Sequence, residues 1–61
     1  MMNKYDGIIN NIQAANSPAE MRRLCIQAEK LVKADETLTN VEFDRLMMDI
    51  AFLYRESYSF E

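Results

Sequence analysis

The strongest helical signal in the chain lies in LTNVEFDRLMMDIAFLYRESY, which runs from Leu38 to Tyr58. A capping box opens this segment: the Thr39 hydroxyl can accept from the amide of Glu42, and the Glu42 carboxylate can accept from the amide of Thr39. Leu38 and Phe43 stand at the two positions of a hydrophobic staple, which fixes the direction in which the chain enters a helix. We therefore predict a helix over residues 40–58.

Apolar residues occupy two sides of this predicted helix. At about 100° per residue, one broad arc starts at Phe43 and contains Leu46, Met47, Ile50, Ala51, Leu53, Tyr54 and Tyr58. Met48 and Phe52 are four residues apart and lie on the opposite side. A helix that is apolar on two sides is either buried between several neighbours or shared with another chain. We expect this helix to supply most of the core.

A second helix is predicted over residues 18–34. Its start combines an N-cap Ser17, a proline at the first helical position and Glu20 at the third. Its apolar residues recur at offsets typical of an amphipathic helix: Met21, Leu24, Cys25, Ala28, Leu31 and Val32. Glu29 and Lys33 are spaced to form an ion pair on its polar side.

The first helix is predicted over residues 4–15, with Asn3 as its N-cap. Its apolar face contains Tyr5, Ile8, Ile9, Ile12 and Ala15. Gly7 weakens this helix by roughly 1 kcal/mol relative to alanine. Because short connections make consecutive helices antiparallel neighbours, residues 1–61 are predicted to form one all-α domain, a small three-helix bundle.

Length and composition restrict how such a domain can be stabilised. A chain of 61 residues buries only roughly 60% of the surface that it exposes when unfolded. It has no histidine and one cysteine, so neither a metal site nor an internal disulfide is expected. Tight helical packing and self-association remain. No apolar run approaches the roughly 18 residues of a membrane span, and the N-terminus lacks the features of a signal peptide. We therefore predict a cytoplasmic protein.

Two local patterns resemble functional sites and are better explained by structure. Residues 35–47 resemble the exit half of an EF-hand. With Glu42 at the twelfth loop position, however, Leu31, Lys33 and Glu36 would occupy positions that require two oxygen ligands and a glycine. Cys25 lies on the apolar stripe of the second helix, with no histidine to act as its base, so a buried core residue is expected. Without a catalytic constellation we predict neither enzymatic activity nor a cofactor.

The second helix also has a basic face. It consists of Arg22, Arg23, Ile26, Lys30 and Lys33. This face could bind phosphate or an acidic partner, or it could be an ordinary solvated surface. Nucleic-acid binding through the third helix is disfavoured because its polar positions include Asp44, Asp49 and Glu56, which phosphates repel.

The remaining candidate site is the Met48–Phe52 pair. Its charged neighbours are Arg45, Asp49, Arg55 and Glu56. An apolar patch with a charged rim is typical of a protein interface, although the bundle's own core could also cover the pair. Charge is segregated as well: residues 1–34 carry five basic and three acidic side chains, whereas residues 35–61 carry two and seven.

These observations lead to one functional prediction and one alternative. We predict a non-enzymatic protein-interaction module, a small adaptor or regulator whose partner is another protein, a second copy in a homodimer, or both. Its size would suit a bacterial or phage-encoded accessory factor. The alternative is a nucleic-acid-associated regulator that uses the basic face of the second helix.

Overall fold

The computed structural model describes residues 4–60. Helix α1 comprises Asp6–Gln13, α2 comprises Pro18–Ala34 and α3 comprises Asn40–Glu56; a short 3₁₀ turn, Ser57–Phe60, follows. The described residues contain no strand. The globule measures 35 × 18 × 16 Å. The all-α, three-helix architecture predicted from the sequence is confirmed.

Helices α2 and α3 begin where their caps predict. The Ser17 hydroxyl accepts from the amide of Glu20 at 3.2 Å. The capping box of α3 is complete, since Thr39 accepts from the Glu42 amide at 3.1 Å and Glu42 accepts from the Thr39 amide at 3.0 Å. The hydrogen bond from the Thr39 amide lowers the pKa of the Glu42 carboxyl. The cap therefore accounts for the residues that resemble the end of a calcium-binding loop.

Helix α1 is shorter than predicted at both ends. Tyr5, not Asn3, precedes its first residue and makes no side-chain cap; Asn3 lies outside the described residues. The Tyr5 side chain is buried instead, and its hydroxyl donates to the Asp35 carboxylate at 2.6 Å. At the other end the chain leaves the helix after Gln13, because Ser17 must become extended before α2 can begin. A tertiary contact at its start and the cap of the next helix after its end thus keep α1 short.

Helix α3 ends two residues earlier than predicted. Ser57 is fully buried, and its hydroxyl donates to the Tyr54 carbonyl at 2.5 Å. Ser59 makes the equivalent bond to the Glu56 carbonyl at 2.6 Å. Serine side chains that bond to preceding carbonyls compete with the helical pattern, and the chain tightens into the 3₁₀ turn. Tyr58 consequently lies in the turn and is exposed, so its predicted place on the core side of the helix is wrong.

The core forms along α2, with both other helices packed against it. Its buried residues are Tyr5, Ile12, Met21, Cys25, Ala28, Val32, Leu46, Ile50 and Leu53. Helix α2 contributes four of them and α3 three, so the prediction that α3 supplies most of the core is wrong. Helices α2 and α3 each contact α1 and the 3₁₀ turn as well as one another, so they share the core between them. Cys25 is buried as predicted, and burial raises the pKa of its thiol.

A polar network joins the start of α1 to the connection between α2 and α3. Asp35 forms an ion pair with Lys4 and accepts from the hydroxyl of Tyr5 and the amide of Thr37. These partners, Lys4 first, hold the pKa of Asp35 well below its usual range. The same hydrogen bond from Tyr5 raises the pKa of the Tyr5 hydroxyl to about 12. Because the start of α1 meets the end of α2, these two helices are antiparallel.

Candidate docking face

Three large apolar side chains lie in a line on the outer side of α3. The exposed fractions are 75% for Val41, 72% for Met48 and 63% for Phe52. At about 100° per residue they fall within one narrow arc, directly opposite the buried side of the same helix. Met48 and Phe52 are therefore surface residues, and the alternative that the bundle's own core covers them is wrong. We call Val41, Met48 and Phe52 the outer stripe.

Sequence reasoning missed Val41. The signal was present, because Val41, Met48 and Phe52 are separated by seven and four residues, which returns each to the same side of a helix. The prediction instead measured its arc from Phe43, which is half-buried against the core. Helical angles measured from Met48 instead of Phe43 would have placed Val41 on the same side as Met48 and Phe52.

A shallow groove runs beside the outer stripe. It is lined by Met48, Ala51, Phe52, Arg55, Glu56 and Ser59. The structure thus brings together four of the predicted interface residues: Met48, Phe52, Arg55 and Glu56. Arg45 and Asp49 are exposed on the same helix and flank the stripe without lining this groove.

A second groove lies between α2 and α3. Its lining residues are Ile26, Glu29, Met47, Ile50, Ala51, Tyr54 and Arg55. Ala51 and Arg55 line both grooves, so one continuous surface passes around α3 to the outer stripe. Ala51 is exposed, which corrects its predicted place on the core side. Ile26 belongs to this groove, where it adds an exposed apolar side chain.

Some side chains of the basic face predicted on α2 have structural partners. The Arg22 guanidinium lies 4.6 Å from the centre of the Tyr58 ring, in a cation–π contact that holds the 3₁₀ turn against α2. Lys33 pairs with Glu29 at 2.7 Å, as the spacing predicted. Arg23 and Lys30 remain exposed. Two of the four basic side chains thus have structural partners.

Tyr58 also packs against Tyr54. Its ring meets that of Tyr54 edge-on, with centroids 5.6 Å apart, and the two hydroxyls share a hydrogen bond of 3.3 Å. That hydrogen bond raises the pKa of Tyr54. Each shifted pKa in residues 4–60 thus has a local structural cause, in burial or in a hydrogen-bonded neighbour.

The fold and surface define a small three-helix protein with an apolar stripe on one side of its last helix. Comparison of the chain with protein-family models, curated proteins and solved structures gave no match. None of the described helices is long and apolar enough to cross a membrane.

Proposed function

We propose that this chain is a non-enzymatic protein-interaction module, a small adaptor or regulator that docks through the outer side of α3. The observation that carries the proposal is the outer stripe, with three aligned large side chains each more than 60% exposed. Scattered apolar residues on a surface need no explanation, but an aligned group with a charged rim has the composition of an interface. Phe52 is the natural anchor because large aromatic side chains dominate binding energies.

The size of the stripe indicates what kind of partner is needed. Complete burial of an exposed Val, Met or Phe side chain stabilises a complex by about 1.5–3 kcal/mol. At their observed exposure, the three together are worth roughly 3–6 kcal/mol. Association costs about 4–15 kcal/mol in lost freedom. A partner must therefore bring a comparable apolar surface of its own.

The charged rim determines orientation more than affinity. Arg45, Asp49, Arg55 and Glu56 are at the surface, where a single ion pair contributes about 0–1 kcal/mol. Complementary charges instead select the partner and the direction in which it docks. Both signs are present beside the stripe, which suits a partner of mixed charge.

Nucleic-acid binding through α2 receives less support than docking through α3. Arg22 is engaged with Tyr58, and Lys33 with Glu29, which leaves a weak electrostatic footprint on a chain of net charge −3. A titration with random duplex DNA at varied salt checks this alternative. Tight binding that weakens steeply with salt would favour it.

A cytoplasmic location is part of the proposal of a protein-interaction module, since a free thiol at Cys25 suits a reducing compartment.

Photo-crosslinking in the native cell tests the proposed docking face. A photoreactive phenylalanine analogue replaces Phe52 on the outer stripe and, as a matched control, Lys30 on the exposed side of α2. We expect protein adducts of defined mass from position 52 and few from position 30. The proposal fails if position 52 gives no adducts, or if both positions give the same set.

A further inference from the structure

We infer that α1 is a releasable strap, which opens as a unit while α2, α3 and the 3₁₀ turn stay packed together. Polar contacts between the start of this strap and the connection between α2 and α3 hold it closed. The inference goes beyond the proposed function and does not depend on it, because it concerns α1 and not the outer stripe. Three observations carry it: the weakness of α1 as a helix, the position of its polar attachment, and the contacts that remain without it.

Helix α1 lacks the features that stabilise the other two helices locally. It contains 8 residues, whereas α2 and α3 contain 17 each, and isolated helices shorter than about 12–15 residues are marginal in water. Tyr5 provides no side-chain cap, and no basic residue lies in the last turn. Gly7 lowers the helix propensity further. Helix α1 is therefore helical because it is packed, and it should unwind when it leaves the core.

Polar side chains attach the start of α1 to the connection between α2 and α3. The Tyr5 hydroxyl donates to the Asp35 carboxylate at 2.6 Å, and Lys4 forms an ion pair with the same carboxylate. The Lys4 ammonium also donates to the Thr37 hydroxyl at 2.8 Å. We call these contacts of Lys4 and Tyr5 with Asp35 and Thr37 the latch. Farther along α1, the attachment is the fully buried side chain of Ile12.

The rest of the fold is connected without α1. Of the nine buried residues of the core, four lie on α2 and three on α3, and these two helices contact each other more extensively than α1 contacts either. Within residues 4–60, the 3₁₀ turn contacts α2 and α3 but not α1. The Arg22 guanidinium, 4.6 Å from the centre of the Tyr58 ring, connects this turn to α2. Two capped helices and the turn thus remain joined when α1 opens.

Opening of the strap changes which apolar surface is accessible. Tyr5 and Ile12 leave the core together with the partly buried Ile8 and Ile9, and the parts of α2 and α3 that they covered become exposed to solvent. Segments that open at a lower free energy than the whole chain are the ones from which conformational switches are built. The strap therefore gives this small fold a second state, with the latch as its control.

Native-state hydrogen exchange of the full chain measures the opening of each helix. Under conditions in which protection reports the opening equilibrium, the amides of residues 9–13 should share one protection factor. That factor should be at least about tenfold lower than the values in the middle of α2 and α3. Equal protection in all three helices would overturn the inference, because α1 would then open only when the whole chain unfolds.

Tyr58→Ala distinguishes a separate strap from a helix that belongs to one cooperative unit. The substitution removes the ring contacts with Arg22 and Tyr54, in a turn that α1 does not contact. It should lower the protection of α2 and α3 by about fivefold or more. The protection of α1 should stay unchanged, because the removed contacts persist while the strap is open. A fall in α1 by the same factor would contradict the inference. Circular dichroism establishes that the variant folds, and the wild-type comparison stands without it.

Tyr5→Phe tests the latch, with Tyr54→Phe as its matched control. Each variant loses one hydroxyl and keeps its ring, but only Tyr5 bonds to Asp35, whereas Tyr54 bonds to Tyr58. Tyr5→Phe should lower the protection of α1 by about tenfold, since a hydrogen bond to a charged group is lost from the closed state. Tyr54→Phe should leave the protection of α1 unchanged. Unchanged protection of α1 in Tyr5→Phe, or an equal fall in both variants, would exclude the latch.

Discussion

Large apolar side chains lie on two sides of α3, in opposite environments. The inner side places Leu46, Ile50 and Leu53 in the core, each less than 10% exposed. The outer side places the three residues of the stripe, Val41, Met48 and Phe52, in solvent at 63–75% exposure. Hydrophobicity alone does not determine which side is buried. What determines it is where α1 and α2 can reach within a chain of this length.

This difference shows that a short chain can encode more apolar surface than it can cover. Sixty-one residues provide two helices to pack against α3, and both lie on its inner side. The outer side is left for something outside the chain. The difference between the two sides can be tested at four places, from the largest expected effect to the smallest.

Truncation on the two sides should give very different losses of stability. Ile50→Ala leaves a cavity in the core and should lower the free energy of unfolding by about 2–5 kcal/mol. Phe52→Ala removes a larger side chain from the surface and should change it by less than about 0.5 kcal/mol in the monomer. Urea unfolding at low protein concentration measures both. If Phe52→Ala cost as much as Ile50→Ala, the outer stripe would belong to the core.

The caps should matter about equally for α2 and α3. Ser17→Ala and Thr39→Ala each remove a hydroxyl that accepts from a helical amide, at an expected cost of about 1 kcal/mol. Loss of the Thr39 cap affects both sides of α3, because it destabilises the first turn of the helix. The midpoint of urea unfolding measures the effect. Substitution of the exposed, non-capping Asn40 by alanine is the control and should change it much less.

Gly7→Ala should stabilise the protein. Gly7 is exposed in α1, and a Cβ at this position would meet nothing within 4 Å. Alanine should therefore add its helix propensity without a clash, about 0.5–1 kcal/mol. A rise in the melting temperature is expected. No change would indicate that α1 contributes little to the cooperative unit that buries the inner side of α3, and a fall would contradict the prediction.

The Asp35 network should produce the smallest effect, and one that depends on pH. The pKa of Asp35 is lowered in the folded state from 3.8. Its contribution is therefore present above pH 3.8 and is lost as the pH falls below that value. Asp35→Asn should reduce the pH dependence of stability on the acid side. The effect is modest because Lys4 is 54% exposed and solvent screens the pair. The test is the free energy of unfolding of both proteins at pH 7 and below pH 3.8. If that free energy changed equally with pH in both proteins, the acid-side dependence would not come from Asp35.

Tyr5→Phe provides a matched variant for the same network at the opposite end of the pH scale. The pKa of Tyr5 is raised from 10.0 to about 12. The stability that the protonated Tyr5 hydroxyl contributes is present below pH 10 and is lost as the pH rises toward 12. Phenylalanine should remove this alkaline dependence and keep the buried ring.

Much of the fold was predictable because it depends on neighbours in sequence. Pro18–Ala34 was predicted to the residue, and the start of α3 to the residue, since Ser17 and Thr39 act on amides only three positions away. Met48 and Phe52 were singled out by helical spacing, and the structure places both side chains in solvent. The candidate docking face was therefore partly predictable, although the prediction did not include Val41.

The sequence by itself determined which segments are helical, where two of them start, that α3 is apolar on two sides and that Cys25 lies on the core side of α2. Only the tertiary structure decided that the outer side of α3 is left uncovered, that α2 contributes more of the buried residues than α3, that the Tyr5 hydroxyl bonds to Asp35 and that the Arg22 guanidinium contacts the Tyr58 ring. The physical reason is the distance over which each interaction acts along the chain. Caps and helical periodicity operate within a few residues. The contact between Tyr5 and Asp35 spans 30 residues, and such contacts are determined by how complete helices pack.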